Sequence, residues 1–297
     1  MNFLFRLITL LAAIVVTTGT VRSEEITKTS LWKLSDDNST VYLAGSVHLL
    51  REVDLPFPRA FDTAYHDSSE LIFEIDMERL SDPSAAMKIR RLGTLPQGES
   101  LDNLLGEETL IGLQHYLKER GLPEALFDRF TPGMVFLTIG SLEATRQGAR
   151  PDLGMETQFY QRATKDGKPS RGLETAEFQM SCFDELNIEI LEELIHEIVE
   201  EIEKDDETLD SIIEAWKTGN LEDLDELVVE KMAESPELKK VLLTDRNKNW
   251  IPEIEKTLTK DHNAMFIVGA AHLVGDDSVI DLLEKKGFHP VQVGKRN

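Results

Sequence analysis

Short apolar runs alternate along this chain with stretches whose apolar residues recur at helical spacing, and that alternation predicts an α/β protein. From Thr40, the run Val41-Tyr42-Leu43-Ala44-Gly45 reads as a buried strand ending in glycine. Pro56 and Pro58 open a helix carrying Ala60, Phe61 and Ala64, and Leu71 to Asp76 reads as the next strand. Strand, loop, helix and strand in that order predict a βαβ unit and so a parallel pair. Residues 80–180 read as mostly helical, interrupted at Thr131-Pro132-Gly133 and around Arg150-Pro151-Asp152. Lys168 to Glu174 has the punctuation of a short strand entering a loop. Between Phe183 and about Glu234, Ile190, Leu191, Leu194, Ile195, Ile198 and Ile202 keep helical spacing in an acidic context, which predicts amphipathic helices forming a lobe over the sheet. Ala264 to Gly269 is a further strand, Asp277 to Lys286 a helix stopped by Gly287, and Phe288 to Val293 a last strand. The expected architecture is a mixed central sheet with helices packed on it, formed by residues 24–297, with the acidic helical lobe at about 183–260.

The first 23 residues follow another pattern. Arg6 precedes an apolar run from Leu7 to Val16, and Val21-Arg22-Ser23 places small or β-branched residues where a signal peptidase reads. The run is about 10 residues long, against about 20 for a membrane-spanning helix. The expectation is a cleaved export signal, a mature chain beginning near Glu24, no stable membrane anchor, and a periplasmic or secreted location. No cysteine lies near the cleavage point to carry a lipid.

Composition narrows the partners. The formal charge is -23, and loss of Arg6 and Arg22 with the signal takes it to -25. Such a field repels phosphate backbones and anionic lipid, so no nucleic-acid partner is expected, while cations and neutral or basic substrates are admitted. Much of the acid serves to solvate helix faces. Cys182 is the single cysteine, so no intramolecular disulfide forms and stability comes from the core.

The chemistry suggested by the pattern lies where strands end. His48 follows Gly45 by three residues and His272 follows Gly269 by three, so a strand-Gly-x-x-His string occurs once in each half. Ligands of α/β sheets bind beyond the carboxyl ends of strands. Gly45 and Gly269 are expected to let the backbone turn sharply there, and two imidazoles from separate loops can share one metal ion. Either histidine alone would read as a loop or core residue; the repetition is what points to a shared site. Glu74 is the carboxylate candidate, because it interrupts an apolar strand and a buried acid needs a cationic partner, a metal or an arginine. Arg246, in the partly apolar helix Leu242 to Trp250, can supply the arginine.

Other motifs fail. His196-Glu197 begins like a zinc-protease string, but four residues after His196 stands Glu200 rather than histidine. Ser46 and Ser141 lack the glycines of a nucleophile elbow, Cys182 has no thiol-enzyme signature, and no phosphate-binding glycine loop is present.

Taken together, Ala44-Gly45-Ser46-Val47-His48, Leu71 to Asp76 with Glu74, Asp166 to Pro169 leading to Gly172-Leu173-Glu174-Thr175, Leu242 to Trp250 with Arg246 and Asn247, and Val268-Gly269-Ala270-Ala271-His272-Leu273 resemble the TraB/GumN family, which includes the Tiki-type Wnt-inactivating proteases. The resemblance covers nearly the whole mature chain. It implies a fold similar to that of haem-binding ChaN-like proteins and erythromycin esterases, and a site with Gly45, His48, Gly269 and His272, with Glu74 and Arg246 as buried acid and base. Glu156, Glu174 and Asn247 are supporting candidates. The implied activity is metal-dependent hydrolysis, a peptidase first, with His48, His272 and Glu74 holding zinc, manganese or cobalt and a peptide or small molecule as substrate. The alternatives are metal-free hydrolysis by histidine and glutamate, and non-catalytic binding of a peptide or haem. The sequence leaves the oligomeric state open.

Overall fold

The computed structural model describes residues 27–202, 208–230, 232 and 234–295. The segment read as an export signal, 1–23, lies outside the described residues. Strands β1 (Thr27–Ser35), β2 (Thr40–Ser46), β3 (Glu70–Ile75), β4 (Ser170–Glu174), β5 (Ala264–Gly269) and β6 (Val291–Lys295) pair into one sheet in the order β4-β3-β5-β2-β1-β6. The contiguous pairs β4-β3, β3-β5 and β5-β2 are parallel, while β1 runs antiparallel to β2 and to β6. With helices packed around it, this is the mixed α/β architecture expected from the sequence.

One strand expectation needs correction. β2 and β3 run in the same direction across the Arg59–Asp67 helix but are not neighbours, because β5 lies between them and pairs with both. β5 is buried at all six positions, as an uninterrupted apolar run must be when it occupies the middle of a parallel sheet. β1 was not anticipated from the sequence: it mixes Lys28 and Lys33 with Leu31, Trp32 and Leu34, and of these five only the last three are buried. That weak alternation suits a strand near the sheet edge.

The core rests on the sheet. The Arg59–Asp67 helix buries Phe61, Ala64 and Tyr65, three and four residues apart, on its sheet-facing side. Phe61 stacks on Trp216, a fully buried residue of the Thr208–Thr218 helix, with ring centroids 5.9 Å apart. The Asp245–Leu258 helix contributes Trp250, Ile251 and Ile254 to the same core. A second core lies among the Glu107–Glu119, Pro132–Arg146 and Ile188–Ile202 helices, around Leu113, Ile139, Ile195 and Val199. Within 183–260, then, Ile188–Ile202 packs on other helices whereas Asp245–Leu258 packs on the sheet core. No helix among the described residues is long and apolar enough to cross a membrane.

Candidate functional site at the carboxyl ends of the parallel strands

Register brings the two Gly-x-x-His strings together. Gly45 pairs with Val268 and Ser46 with Gly269, so β2 and β5 deliver His48 and His272 from adjacent parallel ends. β3 flanks β5 on its other side, with Phe73 opposite Ile267, and β4 follows with Glu174 opposite Ile75. Glu74 and Glu174 therefore reach the same end of the sheet as the histidines, where α/β ligand sites form.

The glycines do not act by turning the chain. Gly269 closes β5 with φ -50° and ψ 135°, ordinary backbone for any residue, and β2 continues through Gly45 to Ser46. What they provide is space. A Cβ on Gly45 would lie 3.2 Å from both Cα and Cβ of Ala270, and the Gly45 carbonyl accepts the indole N–H of Trp216 at 2.7 Å. A Cβ on Gly269 would lie 3.4 Å from Glu74 Oε2, 3.5 Å from His272 Cδ2 and 3.7 Å from His48 Nε2. Gly269 is thus the bare floor on which the two histidines and the glutamate converge.

Glu74 is buried and charged. Its Oε1 accepts from Arg246 Nη2 and from Gln179 Nε2 at 2.7 Å, and its Oε2 accepts from the Gly269 N–H at 2.9 Å. Burial works to raise its pKa, but the surrounding His272, Arg246 and His48 with the Gly269 N–H more than reverse this and hold it well below the usual carboxylate range. Arg246 also donates to Glu174, through Nε at 3.1 Å and Nη2 at 2.8 Å, and through Nη1 to the Leu242 carbonyl at 2.9 Å. Both Nη2 protons and the Nε proton are then spent on these two carboxylates, and Arg246 helps to keep Glu74 ionised. Trp250, four residues along the helix, donates to Glu174 at 2.8 Å and packs on His272 with ring centroids 4.4 Å apart.

The histidines sit in opposite environments. His272 is 4% exposed, and its Nδ1 lies 2.6 Å from Asn247 Oδ1. Asn247 in turn donates through Nδ2 to the Asp277 carbonyl at 2.9 Å, which leaves Oδ1 as the acceptor and places the His272 proton on Nδ1. Burial pushes His272 down to about 3, so its ring is neutral and Nε2 keeps its lone pair, 3.9 Å from Glu74 Oε1. His48 is 64% exposed in its side chain, and its Nδ1 lies 2.7 Å from Glu156 Oε1. Ser46 donates to the same oxygen. The field of Glu156 draws His48 up to about 9, with water at the open face of the ring screening part of that field.

All the residues singled out in the sequence meet here: His48 with Glu156, His272 with Asn247, and Glu74 and Glu174 with Arg246. The carboxylate bonded to His48 is Glu156. Gln179, on the Ala176–Cys182 helix beyond β4, bridges Glu74 and Glu174 and carries no sequence signal, since a glutamine on a short polar helix is ordinary. Trp250 had one, its spacing of four from Arg246. His196 belongs to a solvated face, paired with Glu200 at 3.3 Å.

Imidazole and carboxylate are donor types that divalent transition metals take. Both imidazoles turn Nε2 toward Gly269 or Glu74 with Nδ1 tied to an oxygen acceptor, the arrangement that orients metal-binding histidines, and Glu74 Oε2 retains a lone pair beside them. Among the described residues, no three of histidine, cysteine, aspartate and glutamate stand at metal-binding distance from one point.

Comparison with known proteins adds kinship. The TraB/PrgY/gumN family profile matches residues 30–292. The uncharacterized protein YbaP of Escherichia coli is 25% identical over 95% of this chain and 100% of its own length. Metalloprotease TIKI1 of Danio rerio is 22% identical over 87% of this chain and 62% of its own length, and Metalloprotease TIKI2 of Xenopus tropicalis is 23% identical over 91% and 61%. The chain thus spans about three fifths of these two metalloproteases. No solved structure matches it significantly.

Proposed function

The chain belongs to the TraB/PrgY/gumN family, and on that premise we propose that it is a metal-dependent hydrolase of peptide bonds, with His48, His272 and Glu74 as the ligands of one zinc, manganese or cobalt ion. The observation that carries this reading is the pair of imidazoles delivered by adjacent parallel strands, each held through Nδ1 by an oxygen acceptor. The distant relatives named as metalloproteases support both the hydrolytic chemistry and the metal. The export reading of residues 1–23 would place the activity in the periplasm or outside the cell.

Bound there, a divalent ion supplies a Lewis acid that polarises a scissile carbonyl and acidifies water. The chain's own residues do the rest. Asn247 fixes the tautomer of His272, and burial keeps that ring neutral and able to donate its lone pair. Glu156 and Ser46 orient His48. Arg246 holds Glu74 ionised, so the centre keeps a negative charge that attracts a cation; were Glu74 not a ligand, it would instead be the base that takes a proton from water.

A second reading rests on the His48–Glu156 pair itself. A histidine bonded to a buried carboxylate is a general acid and base without any metal. The two separate on metal content by elemental analysis, for the wild type beside a His48→Ala, His272→Ala double variant, together with cleavage of a peptide library with and without chelator. The metal reading expects about one equivalent of transition metal, lost in a folded double variant, and cleavage that chelator stops. Chelator-resistant cleavage by metal-free protein would establish the second reading instead.

A further inference from the structure

A separate cavity of about 250 Å³ opens beside the Pro132–Arg146 and Ile188–Ile202 helices and the Pro236–Lys239 turn. Phe136, Leu194, Ile198, Leu238 and Leu242 give it apolar walls, while the exposed Glu193, Glu197 and Glu234 stand at its edge. The Ile188–Ile202 helix carries six glutamates and no lysine or arginine. Lys240, close by in sequence, is already paired with Asp245. Among the described residues that line it, the cavity is therefore apolar inside and acidic at its rim.

That combination selects its occupant. The volume is smaller than the roughly 300–1,000 Å³ typical of sites that enclose a small molecule, and suits one or two apolar side chains. The rim favours cationic neighbours for that side chain, and a chain of net charge -23 repels a second copy of itself. We propose that this cavity is a docking site for a cationic peptide, which inserts an apolar side chain between Leu194 and Leu242 and lays lysine or arginine residues against Glu193 and Glu234. Leu242 also joins the cavity to the catalytic candidate, since its carbonyl accepts from Arg246. The docking proposal does not require that candidate to be catalytic.

The test is fluorescence anisotropy of the full chain with a labelled Lys-Lys-Leu-Phe-Leu-Lys-Lys peptide, beside the charge-reversed Glu-Glu-Leu-Phe-Leu-Glu-Glu peptide. Mass spectrometry of the recovered peptide separates binding from turnover. Saturable binding of the cationic peptide alone is expected, weakened roughly tenfold by the Glu193→Lys, Glu234→Lys double variant. These rim residues are exposed, so that variant folds. Leu194→Trp, which fills the cavity, should weaken binding as much, with folding checked by circular dichroism. Binding unchanged in the double variant would reduce the effect to the general acidic field, and binding unchanged in folded Leu194→Trp would remove the cavity from it; either overturns the proposal. So does absence of binding, or concentration-dependent dimerisation that Leu194→Trp abolishes, which would make the occupant a second copy of the chain.

Discussion

His272 Nδ1 lies 2.6 Å from Asn247 Oδ1, and this bond between the Ala270–Leu273 3-10 helix after β5 and the Asp245–Leu258 helix fixes which nitrogen of the buried ring faces Glu74. The orientation does not depend on His272 alone. It depends on a chain that runs through Asn247 to the Asp277 carbonyl, whose residue sits in the left-handed region at φ 59°.

Asn247→Ala should therefore act on the histidine rather than on the fold. Removing such a supporting acceptor typically weakens metal affinity or activity about 10- to 100-fold. Calorimetric titration with manganese or zinc is expected to show a loss in that range, and the His272 ring should show mixed tautomers by nitrogen NMR. Unchanged affinity with a single tautomer would remove Asn247 from the site.

The two glycines should respond oppositely to alanine. In Gly45→Ala the new Cβ meets Ala270 at 3.2 Å, on backbone as well as side chain, and overpacking of this kind costs about 1–3 kcal/mol. In Gly269→Ala the Cβ finds ordinary contact distances, so Tm should move little, while the methyl group occupies the floor between His48, His272 and Glu74 and abolishes metal binding and turnover. Thermal denaturation and metal titration of both variants check the contrast.

Glu156→Gln should lower the titration of His48 from about 9 toward the ordinary imidazole value of about 6.5. The folded state of the native protein holds that proton more tightly than the unfolded state does. The stabilisation is therefore fully present below about pH 6.5 and is lost as pH rises through about 9. Proton NMR of the ring in metal-free protein reads the shift, and the variant's melting temperature should lose this component of its pH dependence.

Acid stability should be sensitive to Glu143, on the Pro132–Arg146 helix. Burial raises its pKa, but Arg120 Nε and Arg146 Nε, each at 2.8 Å, and the Tyr116 hydroxyl at 3.1 Å outweigh burial and hold it below the ordinary carboxylate value. A lowered folded pKa means that the unfolded state takes up protons first as pH falls. The contribution is present above about pH 4 and is lost as pH drops through the folded value. Glu143→Gln should then lower Tm clearly at pH 7 and much less at pH 3, as differential scanning calorimetry can show.

Much of this architecture was legible in sequence because strand and helix patterns are local. Val41 to Gly45 and Ala264 to Gly269 announce themselves as uninterrupted apolar runs, Leu71 to Ile75 as one broken only by Glu74, and all three are strands. The doubled Gly-x-x-His string marked two residues that the sheet does bring together, and an acid inside an apolar strand demanded the cation that Arg246 provides. Tertiary structure decided the rest. Which strand lies between β2 and β3 depends on pairing across nearly the whole chain, and no local period encodes it. The same holds for the partners of these groups: Glu156 reaches His48 from the first turn of the Met155–Asp166 helix, and Gln179 bridges Glu74 and Glu174 from the Ala176–Cys182 helix. Burial and periodicity are properties of a segment, whereas the neighbour of a titratable group, and therefore its charge, is a property of the assembled sheet.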